Sequence, residues 1–147
     1  MNLLSELAIG GGMIAATVVV HAITMDIIMS KAAHLFKALR GAVGHLARPA
    51  IASIIVVTLF LAHVINIWCW ASLYLYIEAP PIITLPDALY FSTVTYTTVG
   101  YGDIVLSQNF RMLSGIEATN GMLLFGWTTA FIFEMITKIY RREADFL

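Results

Sequence analysis

Three long apolar segments, separated by stretches in which charged residues return, organise the chain. They cover residues 7–25, 49–77 and 112–137. The first two contain no Asp, Glu, Lys or Arg, and the third contains only Glu117 and Glu134. A helix needs about 20 mainly apolar residues to cross the hydrocarbon core of a bilayer. The pattern therefore predicts three transmembrane helices, of which the second is the most clearly defined.

The segment between the second and third apolar runs predicts a shorter element. Tyr, Phe, Thr and Val dominate residues 90–99, a composition that favours a strand by propensity alone. An open strand edge is not tolerated in hydrocarbon, whereas a re-entrant helix beside a water-filled cavity is. Pro86 and Asp87 provide a helix start, and residues 86–97 would span about 18 Å, roughly half a bilayer. We therefore predict a pore helix over residues 86–97.

Composition excludes a water-soluble fold and gives no sign of enzymatic chemistry. Of the 147 residues, 60% are hydrophobic and 12% are charged, with a mean hydropathy of +0.87. A soluble surface needs about a quarter to a third of its residues charged. The net charge of −1 gives no reason to expect nucleic acid as a partner. No residues combine into a catalytic or metal site, so we expect neither an enzyme nor a small-molecule substrate.

The basic residues are distributed asymmetrically around the predicted spans. Seven of the eight lie between the first two spans or after the third: Lys31, Lys37, Arg40, Arg48, Lys138, Arg141 and Arg142. Residues 78–110 contain no Lys or Arg. Basic residues near span ends stay on the cytoplasmic side, so the N-terminus is predicted outside and the C-terminus in the cytoplasm.

Directly after the predicted pore helix, the chain reads Thr98-Val99-Gly100-Tyr101-Gly102-Asp103. Glycines at alternate positions tolerate positive φ, which lets successive carbonyls point to one side. Thr98 adds a hydroxyl oxygen. In these six residues, placed after a half-membrane helix and between two spans, the chain resembles the potassium channel family, whose filter carries this signature.

The resemblance implies that neutral backbone carbonyls and one hydroxyl replace the hydration shell of K+. The filter residues are Thr98, Val99, Gly100, Tyr101 and Gly102, with K+ held at the first four. Tyr101 would point back into the pore helix, and Asp103 would form an acidic ring at the outer mouth. One loop forms only one wall of a pore, so the implied assembly is a homotetramer, with no cofactor beyond the permeating ions.

The expected fold is therefore an all-α membrane protein with three transmembrane helices, a re-entrant pore helix and a filter loop. The resemblance covers residues 49–140: outer helix 49–77, pore helix 86–97, filter 98–103 and inner helix 112–138. An additional N-terminal helix within residues 1–29 is similar to that of small bacterial ion channels, which suggests a bacterial inner membrane. A basic cytoplasmic linker, 30–48, and a short cytoplasmic tail, 141–147, complete the organisation.

Two positions depart from the family pattern. Some members carry a pore-helix carboxylate that pairs with the filter aspartate, and here that position is Val94. Some also use a pore-helix tryptophan to bond the filter tyrosine, where this chain has Phe91, which has no donor. Asp103 is therefore expected to lack that partner.

The inner helix carries candidates for a hinge and a gate. Gly121 stands where the family often has a hinge glycine, and Gly126 follows; either could permit bending or close helix packing. Phe125, Thr129, Phe133 and Thr137 recur at four-residue spacing on one face. The resemblance implies that this face lines the cavity, with Phe133 either a constriction or a packing residue.

The intramembrane carboxylates are costly and each needs an explanation. Glu134 precedes Lys138 by one turn, which favours an ion pair; the alternative is an acidic ring at the inner mouth. Glu117 has no basic partner at that spacing. We expect it to anchor the inner helix behind the filter by hydrogen bonding with the pore loop.

Two histidines and an asparagine also lie within the spans. His21 and His63 are expected to be packing histidines with satisfied hydrogen bonds, although either could sense pH. Asn66 is expected to form a hydrogen bond between helices.

A basic repeat follows the first apolar segment. Lys31, His34, Lys37 and Arg40 recur every third residue, as in a voltage sensor, but a solvated linker near lipid headgroups is favoured.

The sequence predicts a potassium-selective channel that conducts passively. A poorly selective monovalent cation channel, or a non-conducting subunit of a potassium uptake or sensor system, remains an alternative.

Overall fold

The computed structural model describes residues 2–43 and 46–144, and helices dominate them. The helices are α1 (Leu3–Val43), α2 (Ala47–Tyr76), α3 (Leu85–Tyr96) and α4 (Arg111–Ala144), with a short 3-10 turn at Gln108–Phe110. No strand occurs in these residues, which confirms the predicted all-α class. Three segments are long and apolar enough to cross a membrane: Leu3–Leu35, Ala47–Tyr76 and Gln108–Ile139.

The observed helix ends differ from the predicted ones mainly where charged residues flank the spans. The second and pore helices each begin and end within two residues of the predicted bounds. In contrast, α1 continues to Val43, so most of the predicted linker is an extension of the first helix. Residues 44 and 45 of that linker, the side chain of Arg40 and residues 145–147 of the predicted tail lie outside what the structure describes.

The first helix runs parallel to the inner helix and is joined to it by buried polar contacts. The carboxylate of Glu6 accepts a hydrogen bond from the Met112 backbone N–H at 3.1 Å. Eleven residues further along α1, Thr17 accepts one from the Asn120 side-chain amide at 2.8 Å. These side chains are almost fully buried, with exposures of 5% for Glu6, 0% for Thr17 and 1% for Asn120. Because hydrocarbon offers no alternative partner, such bonds fix the register of the two helices.

Two apolar clusters fill the helix contacts at different depths. The outer cluster gathers around the pore helix and includes Trp70, Tyr74, Phe91, Tyr96, Leu113 and Leu124. The inner cluster joins α1, α2 and α4 and includes Met25, Ile51, Ile55, Leu59, Phe131 and Met135. The order of these contacts shows that α2 runs antiparallel to α1 and α4.

The pore helix begins at a side-chain cap and ends near the middle of the second helix. Thr84 accepts a hydrogen bond from the Asp87 backbone N–H at 3.3 Å, and Pro86 occupies the first turn. At the other end, the Tyr96 hydroxyl lies 3.0 Å from His63, which is midway along α2. The helix therefore enters halfway and stops, as predicted for a re-entrant element.

A close backbone contact joins the end of the pore helix to the inner helix at Gly121. A Cβ atom built on Gly121 would lie 2.0 Å from the Tyr96 carbonyl oxygen and 2.9 Å from its carbonyl carbon. Atoms cannot approach so closely, and both atoms are backbone, so a side chain here would force the helices apart. Gly121 is thus required for packing, whereas nothing lies within 4 Å of a Cβ on Gly126.

We predict that Gly121→Ala destabilises the protein by about 1–3 kcal/mol, because the added methyl group overpacks a backbone contact. Thermal unfolding in detergent, followed by circular dichroism, measures the effect. Gly11→Ala is the matched control, since a Cβ there meets nothing within 4 Å. Equal melting temperatures for Gly121→Ala and wild type would show that the contact is not a constraint.

Candidate functional site

The loop that follows the pore helix has an alternating backbone. The positive φ angles fall at Thr98 (62°), Gly100 (51°) and Gly102 (78°), separated by single residues. Two of the three are glycines, which adopt this conformation without steric cost, while Thr98 is strained. Such φ angles permit successive carbonyl groups to point toward one side of a loop.

Backbone hydrogen bonds tie this loop to the end of the pore helix. The Thr98 N–H donates to the Thr95 carbonyl at 2.9 Å, and the Gly100 N–H donates to the Val94 carbonyl at 3.0 Å. The C-terminal end of a helix carries a partial negative charge of about half a unit. The loop therefore begins where a cation is favoured electrostatically.

The filter residues are exposed in the single chain. Val99 is 52% exposed and Tyr101 is 73% exposed. The Tyr101 ring is not buried against the pore helix of its own chain, and its orientation in the assembled protein stays a prediction. Both side chains are therefore uncovered in the single chain.

Asp103 has a hydrogen-bond partner that was not predicted from the sequence. The Tyr90 hydroxyl donates a hydrogen bond to the Asp103 carboxylate at 2.6 Å. This bond favours the charged form and lowers the pKa of Asp103 below its usual value. Val94 has no carboxylate that could pair with Asp103. The hydroxyl of Tyr90, one turn earlier on the pore helix, bonds to Asp103 instead.

Glu117 anchors the inner helix behind the pore loop, as predicted. Its side chain is fully buried, and it accepts hydrogen bonds from the Tyr74 hydroxyl at 2.7 Å and from the Ser92 hydroxyl. Because Tyr74 lies on α2 and Ser92 on the pore helix, one carboxylate joins three helices. Hydroxyl donors satisfy a buried carboxylate without a basic residue.

The residues of α4 that were predicted to line the cavity lie in different environments. The Phe125 ring stacks on His63 at 4.5 Å and meets Tyr96 edge-on at 5.6 Å between ring centroids, so it packs behind the pore helix. Thr129 is exposed and Phe133 is 75% exposed, while Thr137 is half-buried. The lower part of this face is thus open within the chain, and its role as cavity lining stays a prediction.

Near the end of the inner helix, Glu134 and Lys138 form the expected ion pair at 2.6 Å. Their side chains are 56% and 52% exposed, so the pair contributes little to stability. The alternative role of Glu134 in an acidic ring at the inner mouth stays a prediction.

The two intramembrane histidines meet at a residue that the sequence did not single out. His21 and His63 both contact the Thr128 hydroxyl, and their ring centroids are 4.7 Å apart. Asn66 donates to the Tyr96 hydroxyl at 3.3 Å, which confirms its predicted interhelical bond. Thr128 carries no distinguishing signal in the sequence, because its two partners lie on two other helices.

An open cavity of about 360 Å³ lies beside the filter. Its lining comes from the pore helix, the filter loop and the start of α4, and includes Phe91, Thr95, Gly100, Leu106, Ser114 and Ala118. Within the described part of the chain, no group of three His, Cys, Asp or Glu side chains could hold a metal ion.

Comparison with known families identifies the fold that carries this site. A family model described as an ion channel matches residues 52–138, which include most of α2, the pore helix, the filter loop and most of α4. Comparison with curated proteins and with solved structures gives no match. Since the matched residues make up more than half of the chain, the protein belongs to this ion channel family, the potassium channel type in which two transmembrane helices flank a pore loop.

Proposed function

We propose that the protein is a potassium-selective channel that conducts K+ passively through a filter formed by four chains. The observation that carries the proposal is the alternation of positive φ at Thr98, Gly100 and Gly102 in an exposed loop. Such a backbone offers carbonyl oxygens in sequence without a fixed negative charge. Neutral oxygens bind a weakly hydrated cation firmly enough to replace water, yet release it.

The exposed surfaces around the filter support an assembly around an axis. Val99 and Tyr101 are uncovered in the single chain, and the cavity of about 360 Å³ is lined by the alternate filter residues Thr98, Gly100 and Gly102. A repeated head-to-tail contact between identical chains closes into a ring when the rotation permits. Four copies, as the family resemblance implies, would cover these surfaces and enclose the ion path, with lipid as the only other partner.

Charge supports the direction of insertion. Most described basic residues lie at the end of the helices opposite the filter, which favours a cytoplasmic C-terminus and an external N-terminus. The outer mouth then carries Asp103 and a loop without Lys or Arg between residues 78 and 110. Acidic residues at such a mouth raise the local concentration of cations, and the nearest basic residue is Arg111 at the start of α4. A bacterial inner membrane fits the small architecture.

We expect the purified, reconstituted protein to give a reversal potential near the potassium equilibrium value when K+ faces Na+ across the membrane. Gly100→Ala should abolish this selectivity, since alanine is strained at a φ of 51°. Gly11→Ala, in open space on α1, is the control variant.

A reversal near zero with robust current would favour a poorly selective cation channel. Absence of current together with a stable monomer on crosslinking would contradict the channel function and favour a non-conducting uptake or sensor subunit.

Loss of the Tyr90 hydroxyl should change how external protons act on the current. In Tyr90→Phe the pKa of Asp103 rises toward its usual value, because a bond to its charged form is removed. Acidification should therefore neutralise the mouth and reduce inward current at a higher pH than in wild type. Current recorded against external pH measures the shift, with Tyr76→Phe, an exposed tyrosine outside the filter, as control. Superimposable curves would disprove the role of this bond.

A further inference from the structure

A chain of polar contacts crosses the protein at the depth where the pore helix ends. On one side, the Nε2 atom of His21 lies 2.6 Å from the Thr128 hydroxyl oxygen, and the Nε2 atom of His63 lies 2.9 Å from the same oxygen. On the other side, the Nδ1 atom of His63 lies 3.0 Å from the Tyr96 hydroxyl oxygen. The chain thus passes from α1 through α4 and α2 to the pore helix.

The donors and acceptors in this series of hydrogen bonds can be assigned by starting from Tyr96. Asn66 donates its amide N–H to the Tyr96 oxygen, so the single Tyr96 proton is free to be donated to Nδ1 of His63. A neutral His63 then carries its proton on Nε2 and donates it to Thr128. The Thr128 hydroxyl in turn donates to Nε2 of His21. With both histidines neutral, every bond has one donor and one acceptor. The proton of His21 then lies on Nδ1, which is buried and has no hydrogen-bond partner among the described residues, so the expectation that His21 is fully satisfied is wrong.

The surroundings make these bonds difficult to replace. His21 and Tyr96 are fully buried, His63 is 6% exposed and Thr128 is 8% exposed. Aromatic rings cover the histidines: Phe125 stacks on His63 at 4.5 Å, and Trp127 lies 5.9 Å from His21. With so little access to water, breaking one bond leaves an unsatisfied polar group in an apolar environment.

Tyr96, the residue at which this series of hydrogen bonds reaches the pore helix, lies next to the filter. Tyr96 is the last residue of the pore helix, two positions before Thr98, and its carbonyl oxygen rests directly against Gly121. Tyr96 is thus held by its side chain from α2 and by its backbone from α4. A change in either contact alters the position from which the filter begins.

We propose that His21, Thr128, His63 and Tyr96 form a hydrogen-bonded relay that couples the first transmembrane helix to the filter. The inference rests on the proposed potassium-selective function. Thr128, His63 and His21 act as positioning residues, because they reach the ion path through Tyr96. The first helix then contributes to ion selection. Displacing it loosens the contacts that hold the end of the pore helix and lowers the selectivity for K+ over Na+.

The hydrogen-bond assignment can be tested without any ion current. Solid-state ¹⁵N spectra of the full-length protein in lipid, with labelled histidine, distinguish the protonated from the unprotonated ring nitrogen. His63 should be neutral with its proton on Nε2, and Tyr96→Phe should shift the Nδ1 resonance while leaving Nε2 protonated. A proton on Nδ1 of His63, or an unchanged Nδ1 resonance in Tyr96→Phe, would overturn the relay.

The coupling to the filter is tested by a double-mutant cycle on relative sodium permeability. Tyr96→Phe and Thr128→Val should each raise it about tenfold, the effect expected from loss of one buried hydrogen bond. In a relay both variants break the same connection, so the double variant should also be raised about tenfold rather than about a hundredfold. Thr58→Val is the control, because the exposed Thr58 hydroxyl bonds the carbonyl of Ile54 in its own helix.

The outcomes separate the two proposals. Additive effects, or no effect of Thr128→Val with tetramers intact, would contradict the coupling while leaving potassium selectivity of the wild type established. A wild type without potassium selectivity would contradict the proposed function, and the ¹⁵N spectra would still decide whether the relay exists.

Discussion

The whole architecture depends on one constraint, that a backbone which is not helical can lie at membrane depth only beside water and with firm support behind it. The loop from Thr98 to Gly102 is such a backbone, with three positive φ angles in five residues. Its N–H groups at Thr98 and Gly100 are satisfied by the last turn of the pore helix. The contacts between the pore helix and the other helices hold that turn in place.

That support is polar rather than purely apolar. Glu117 joins the pore helix to α2 and α4 near the start of α4, and Tyr96 joins it to α2 near the midpoint of α2. Between these two levels, Gly121 lets the inner helix touch the pore-helix backbone. In lipid, where apolar packing between helices has little hydrophobic driving force, hydrogen bonds and close contacts of this kind specify the arrangement. The first helix joins the same system through Glu6, Thr17 and His21.

Much of the fold could be predicted from the sequence because its signals are local. Apolar run length located the spans, Pro86 and Asp87 located the start of the pore helix, and the filter motif identified the family. The bonds of Asn66 and Glu117 followed because an isolated polar group in a span must find a partner.

Contacts that depend on three-dimensional placement could not be predicted in this way. Tyr90 replaces the missing pore-helix carboxylate from a different turn, and Thr128 joins two histidines 42 positions apart in sequence. The continuation of α1 to Val43 was missed because its charged end lies beyond the apolar run. The surroundings of Tyr101 lie outside the single chain, because the proposed neighbouring copies would provide them.

The central claim, that four filter loops surround one line of potassium sites, is tested most directly by crystallography of the assembled protein with Rb+ or Tl+ in place of K+. We expect anomalous density at several positions along a fourfold axis, each surrounded by carbonyl oxygens of residues 98–101. An assembly without fourfold symmetry, or an axis without anomalous density between these carbonyls, would contradict the account.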